Sequence, residues 1–109
     1  MEIHFKDRTI ERLCLEQRRA QKELGRDSAR KLRARLADLY AARNPTGLVV
    51  GHPHPLRGDR HGQFAVSLHG GVRLCFEPYG DPCPMTIDGG IDWLRVTSIL
   101  IVWIGDYHD

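Results

Sequence analysis

The spacing of apolar residues changes once along this chain, from a helical period in the first half to a period of two in the second. Leu32, Leu36 and Leu39 recur at helical spacing, whereas Phe64, Val66 and Leu68 alternate with polar residues. The first pattern is typical of an amphipathic helix and the second of a strand with one buried face. At 109 residues the chain has room for a single domain, 1–109, so we expect an α+β fold with helices packed on a sheet.

The first half predicts a strand followed by a helical hairpin. Residues 1–5 place two apolar side chains at period two, as in a short strand. Asp7 or Thr9 can cap a first helix, and Gly25 is a plausible end for it. Asp27 or Ser28 can then cap a second helix, which the Asn-Pro-Thr-Gly segment at 44–47 terminates.

The second half predicts a mostly antiparallel sheet of about four strands. Alternating residues 63–69 and 73–77 flank a Gly-Gly pair, which indicates a hairpin. We expect Leu68 to oppose Leu74 and His69 to oppose Arg73, with a three-residue connection at 70–72. This register would give one apolar face under the helices and one polar face, which would carry Gln63, Ser67, His69 and Arg73.

Residues 78–92 are rich in proline and glycine and predict a long irregular loop. The last strand is expected from Trp93 to Ile104. It is apolar on both parities from Ile99 onward, which is typical of a central strand covered on both sides.

Composition excludes several classes of protein. The longest apolar run, 99–104, is too short to span a bilayer, and the N-terminus lacks the apolar core of a signal peptide, so we expect a cytoplasmic protein. Three cysteines without CxxC spacing indicate neither a disulfide framework nor a standard zinc site. Residues 1–60 carry a net charge of +6 and residues 61–109 a net charge of −4. The basic half could face a polyanion such as RNA, or it could simply be a solvated helix surface.

A histidine-rich loop, GHPHPLRGDRHGQF, precedes the first strand of the hairpin. His52, His54 and His61 could bind a metal, but no carboxylate or cysteine pattern completes a site, so we expect neither a metal nor another cofactor. The alternative for His54 and Arg57 is a structural one, in which they hydrogen-bond loop carbonyls.

The chain ends in a second polar cluster, Asp106, Tyr107 and His108, directly after an apolar strand. An imidazole, a phenol, a carboxylate and arginines are the groups that metal-free RNA cleavage uses. Regular extended geometry would put Tyr107 on the other side of the strand from its neighbours. We therefore expect the chain to turn at Gly105, so that Tyr107 and His108 both approach Arg73 and His54.

Together, HPLRGDRHGQFAV, GGVRLCFEP and IVWIGDYHD resemble the RelE/HigB superfamily of type II toxins, in the HigB-like subgroup of plasmid-maintenance killer proteins. The resemblance covers nearly the whole chain. It implies a microbial-ribonuclease-like toxin that cleaves mRNA in the ribosomal A site and so inhibits translation. The implied partners are a cognate antitoxin, often a helix-turn-helix repressor, the 70S ribosome and mRNA, with DNA contacted only through the antitoxin.

The resemblance also implies the site residues. The catalytic positions fall on His54, Arg73, Asp106, Tyr107 and His108. His108 or His54 would act as base and the other as acid, Arg73 would stabilise the developing charge, Asp106 would orient an imidazole, and Tyr107 would contact the nucleotide. The RNA-binding positions are Arg57, Arg60, Gln63 and His69.

Two features leave other functions open. The 78–92 loop is longer than in compact family members, and the arginine-rich helix could bind either ribosomal RNA or the antitoxin. A non-cleaving member could instead inhibit DNA gyrase, as ParE-like toxins do, or act only as a protein-binding component of a repressor complex. An unrelated α+β binding domain is a third possibility.

Overall fold

The computed structural model of the chain describes residues 1–106. Within them, three α-helices pack on one face of a five-stranded sheet with strand order β1-β5-β4-β3-β2. All neighbouring strands are antiparallel except β1 and β5, which are parallel. The elements are β1 (Glu2–Phe5), α1 (Arg8–Leu15), α2 (Gln17–Leu24), α3 (Arg26–Ala41), β2 (His54–Pro55), β3 (Phe64–Ser67), β4 (Val72–Pro78) and β5 (Ser98–Asp106). The expected α+β class is confirmed. The fifth strand is β2, which lies in the segment that the sequence predicted as a loop.

The helical layer differs from the expected hairpin of two helices. Asp7 caps α1, its side chain accepting a hydrogen bond from the Ile10 N–H at 2.9 Å. The first predicted helix is broken at Glu16, whose backbone is extended, so it forms both α1 and α2. Gly25 ends α2 as expected, but it also directly precedes α3. With φ of 87°, Gly25 redirects the chain in one residue, and neither Asp27 nor Ser28 caps α3.

The core lies between the helices and one face of the sheet. The strands contribute Phe64, Val66, Leu74, Phe76, Ile99 and Ile101, and the helices contribute Leu32, Leu36 and Leu39. Burial of side chains of this size stabilises the fold by about 1.5–3 kcal/mol each relative to leaving them exposed. We call this side of the sheet the covered face.

The β3–β4 hairpin has the expected faces but not the expected register. Ser67 opposes Arg73 and Val66 opposes Leu74, so the predicted Leu68–Leu74 and His69–Arg73 pairs are wrong. The connection does contain three residues, at 69–71 rather than 70–72, because the Leu68 N–H donates to the Val72 carbonyl. Since the pairing moved by a whole pleat, the same side chains still face the core.

The last strand begins later than predicted. Residues 93–95 form a 3₁₀ turn, and β5 starts at Ser98. The Trp93 ring packs edge-on against Phe64 and Phe76, with centroids 5.0 and 6.3 Å away, which favours a turn that folds Trp93 back onto the core. As expected, β5 is an internal strand, between β1 and β4, but in residues 1–106 the helices cover only one of its faces.

Apart from Pro78, which ends β4, the expected loop at 78–92 contains no strand; a single bridge joins Met85 and Ile91. The three cysteines are free thiols, with Cys75 fully buried. None of the helices between residues 1 and 106 has the length and apolar character needed to cross a membrane.

Candidate functional site

The face of the sheet opposite the core carries part of the predicted site, and we call it the open face. Opposed residues of antiparallel strands point to the same side, so cross-strand pairs can be followed as rows. One row runs from His54 through Ala65 and Cys75 to Trp103. The next row contains Ser67, Arg73 and Gly105. The open face therefore brings His54 and Arg73, predicted from distant parts of the chain, onto one surface.

His54 is held in a defined tautomer. Its Nδ1 lies 2.7 Å from the carbonyl oxygen of His52. Because a carbonyl only accepts, Nδ1 must carry the proton, and in the neutral ring Nε2 therefore holds the lone pair. The carbonyl belongs to a residue in the left-handed region, since His52 has φ of 49°. In this tautomer the Nε2 of His54 carries the lone pair that can accept a proton. The same contact agrees with the structural alternative, in which His54 hydrogen-bonds a loop carbonyl.

The loop after His54 lies across the open face. Leu56 packs on Ala65 and Cys75, with Val102 beside them, and only 9% of its surface is exposed. A 3₁₀ turn at Gly58–Arg60 follows, and it places the Arg60 guanidinium 5.0 Å from the centre of the Trp103 ring. The row ends, His54 and Trp103, are separated by three strand spacings, about 14 Å. Leu56 therefore anchors a loop that links both ends of the row.

Arg73 and Asp106 leave the sheet on different sides. The Arg73 Nη1 donates to the Gly71 carbonyl at 2.9 Å, which fixes the guanidinium beside the β3–β4 turn. Asp106 pairs with Val72, whose side chain packs toward the core, so its carboxylate is on the side of the covered face and lies against Gly71. The structure does not place the carboxylate of Asp106 in the same row as Arg73.

The expected turn at Gly105 is wrong. Gly105 pairs with Arg73 and the next residue pairs with Val72, so the ladder runs straight to Asp106. The glycine has a different explanation: a Cβ there would lie 3.2 Å from the Trp103 indole, which leans over this position. Tyr107 and His108, the other two residues of the predicted cluster, lie outside the described residues.

The remaining predicted RNA-binding residues are spread more widely. Arg57 immediately precedes the 3₁₀ turn of the loop. Gln63 lies on the open-face parity, and its buried Oε1 has no hydrogen-bond partner in residues 1–106. His69 is displaced from the polar face that the sequence predicted, since it lies in the turn with its Nε2 3.9 Å from an Asp27 carboxylate oxygen. Turn residues do not follow the alternation of the strands, which is why periodicity misplaced His69.

No group of three or more histidine, cysteine, aspartate or glutamate residues is arranged to hold a metal ion in the part of the chain that the structure describes. Of the three loop histidines, His52 and His54 are close, with ring centroids 4.7 Å apart. Two neighbouring imidazoles do not make a metal site without further ligands.

Sequence reasoning missed Leu56 and Trp103. Leu56 lies inside a polar loop. Its position as a single large apolar residue among polar ones was the only sequence feature that could have predicted that it anchors the loop to the sheet. Trp103 and Gly105 share the outward-facing side of β5 and alternate with Ile104, but the continuous apolar run at 99–104 concealed that alternation.

Comparison with known proteins supports the fold. No protein-family model matches the chain, and no curated protein matches it either. Among solved structures, a YoeB/ParE toxin from Agrobacterium tumefaciens is similar, with a TM-score of 0.61 and 11% sequence identity. The match covers 99% of this chain and 100% of that one. The two chains share a fold. The expected α+β fold is thus confirmed, whereas membership of the RelE/HigB superfamily and of its HigB-like subgroup stays a prediction.

Proposed function

We propose that residues 1–109 form the toxin of a type II toxin–antitoxin pair, which inhibits translation by cleaving mRNA on the ribosome in the cytoplasm. The observation that carries this proposal is the open face, where His54 with a basic Nε2, Arg73 and Arg60 share one surface. The structural neighbour, itself described as a toxin, supports the toxin assignment.

The chemistry that we infer is attack of a ribose 2′-hydroxyl on the adjacent phosphorus. His54 Nε2 accepts the hydroxyl proton, and the new O–P bond forms as the bond to the 5′-oxygen breaks. His108, as imidazolium, supplies a proton to that leaving oxygen. The products are a 2′,3′-cyclic phosphate and a 5′-hydroxyl, and the scheme uses side chains alone.

Arg73 stabilises the charge that develops on the phosphate, because a positioned guanidinium is most effective where negative charge increases in the transition state. Arg57 and Arg60 bind flanking phosphates, and Tyr107 contacts the nucleotide. Gln63 contributes at the edge of this surface, and His69 at the turn beyond it. Asp106, beside Gly71, positions the end of β5 and the residues that follow it.

The partners follow from the same assignment. A cognate antitoxin, of the helix-turn-helix type that the sequence resemblance implies, would hold the toxin inactive and would provide the only contact with DNA. The basic helical layer would approach the ribosome. A short helix-turn-helix reading frame beside the gene would be the simplest supporting observation.

The decisive experiment is to induce expression of this chain in a bacterium and then to map the 5′ ends of the cellular mRNA. We expect cuts within translated frames for the natural sequence and a loss of at least about a hundredfold in cleavage for Arg73→Ala, the scale seen when one transition-state donor is removed. Arg73→Lys should recover only part of the activity, since an ammonium lacks the planar fork of arginine.

Arg95→Ala is the matched control, because Arg95 is an exposed arginine whose ion pair with Asp92 lies outside the open face. Arg95→Ala should cleave mRNA normally. Both Arg95→Ala and Arg73→Ala should have thermal unfolding temperatures close to that of the natural protein. Full arrest by Arg73→Ala would remove the mechanism. Intact mRNA accompanied by DNA damage would favour a gyrase inhibitor instead.

A further inference from the structure

Trp103 is a large aromatic side chain on the open face that the proposed chemistry does not use. It lies opposite Cys75 in β5, and 37% of its surface is exposed. The other tryptophan, Trp93, is packed among core aromatics. An exposed indole beside predicted catalytic groups therefore needs an explanation other than core packing.

The position of the indole is set by two residues, Gly105 beneath the ring and Arg60 over it. Below it, Gly105 leaves room for the ring, because a Cβ at this residue would come within 3.2 Å of the indole Cζ2 and 3.4 Å of Cε2. On the loop side, the Arg60 guanidinium lies over the ring, 5.0 Å from its centre and within the range of a cation–π contact, so a base that stacks on this face takes the place of the guanidinium. The ring is therefore held over Gly105, toward the row that contains Arg73.

The spacing between Trp103 and Arg73 suits one nucleotide. The rows from which they project are two residues apart along β5, about 6.8 Å at the rise of an antiparallel strand, and both side chains lean the same way, the indole over Gly105 and the guanidinium toward Gly71. A phosphate held by Arg73 would thus have its own base, or that of the adjacent nucleotide, above the indole. Aromatic rings interleaved with arginines are the arrangement on which single-stranded nucleic acids stack.

We propose that Trp103 and Arg60 form a stacking subsite for one nucleobase of single-stranded RNA whose phosphate lies on Arg73. This inference rests on the proposed function and adds the residue that positions the substrate. Because every base has a π face, the subsite fixes the position of the strand rather than its sequence. Arg60 against the ring and Arg73 in the neighbouring row favour a polyanion with planar bases over a purely apolar protein contact.

The test uses the full chain and a short RNA in which every ribose carries a 2′-O-methyl group, so that it binds without being cleaved. Trp93→Phe leaves Trp103 as the single tryptophan and serves as the fluorescent background. We expect saturable quenching of Trp103 emission as the RNA is added. Absence of saturable RNA binding to the full chain would overturn the subsite.

A matched pair of substitutions separates stacking from apolar bulk. Trp103→Phe keeps a π face and should bind RNA within a few-fold of the natural chain, whereas Trp103→Leu should lose roughly tenfold or more in affinity. Equal affinities for the two variants would overturn the proposal. So would a Trp103→Leu variant that binds RNA normally but fails to bind the antitoxin, because the indole would then be a protein contact.

Failure of the subsite and failure of the nuclease give different results. If RNA quenches Trp103 and discriminates between the two variants while the natural chain makes no cuts in cells, the subsite stands and the nuclease assignment fails. If the natural chain and Trp103→Leu both cut mRNA equally well and bind RNA equally well, the nuclease stands and the subsite fails.

Discussion

The two faces of one sheet have different roles in this molecule, and β4 shows the contrast within a few residues. Leu74 and Phe76 point to the covered face and are fully buried under the helices. Arg73 and Cys75 alternate with them and point to the open face. Because alternate residues of a strand face opposite sides, one segment can supply the core and the candidate site independently.

The open face nevertheless has a small apolar cluster of its own, made of Leu56, Ala65, Cys75 and Val102. It is formed mainly by small side chains and one loop leucine, so it contributes far less burial than the core opposite. Because this cluster lies under the loop, its structural role is to hold residues 56–60 across the sheet. The covered face therefore supplies most of the stability of the fold, and the open face positions the loop that carries candidate site residues.

Phe76→Ala should produce the largest effect on stability. Phe76 is fully buried against Phe64 and Trp93, and truncation of such a ring typically costs about 3–5 kcal/mol of unfolding free energy. Urea unfolding would measure this loss. Phe76→Leu should cost less, and Arg73→Ala, three residues away on the other face, should cost less than about 1 kcal/mol. A comparable loss for Arg73→Ala would break the division between the faces.

Leu56→Ala should have an intermediate effect with a local signature. Removing this side chain from its small cluster should cost about 2–3 kcal/mol, at the lower end of the range for buried leucines. It should also uncover Cys75, which can be followed by alkylation of the thiol and peptide mass spectrometry. Leu15→Ala is the matched control, since Leu15 is 67% exposed. Unchanged protection of Cys75 in Leu56→Ala would show that Leu56 does not anchor the loop.

The local pattern of apolar, capping and glycine residues predicted much of this architecture. The alternation in 63–77 identified which side chains enter the core, and that assignment survived the error in register because the error was a whole pleat. Asp7 and Gly25 marked helix ends through side-chain capping and a positive φ, which depend only on neighbouring residues. Alternation also put Arg73 on the polar face, whereas His54 was assigned to the same site only through the family resemblance.

Features that depend on contacts between distant parts of the chain could not be predicted from local sequence patterns. β2 is two residues long and exists only by pairing with β3. The role of Gly105 depends on where the Trp103 ring lies, not on the freedom of its own backbone. The contact between Arg60 and Trp103 joins residues that are 43 positions apart, so neither composition nor periodicity could predict it.

The smallest effect concerns Cys14, a mostly buried thiol packed against the core on the helical side. Burial raises its pKa from 9.0 to about 12, because the thiolate is poorly solvated there. Between these values the unfolded chain loses the thiol proton while the folded chain keeps it, so stability falls as pH rises. From about pH 8 to about pH 10, the natural chain should lose roughly 1 kcal/mol more than Cys14→Ala in urea unfolding. Identical pH dependence of the two proteins would show that the Cys14 thiol is as well solvated in the folded chain as in the unfolded one.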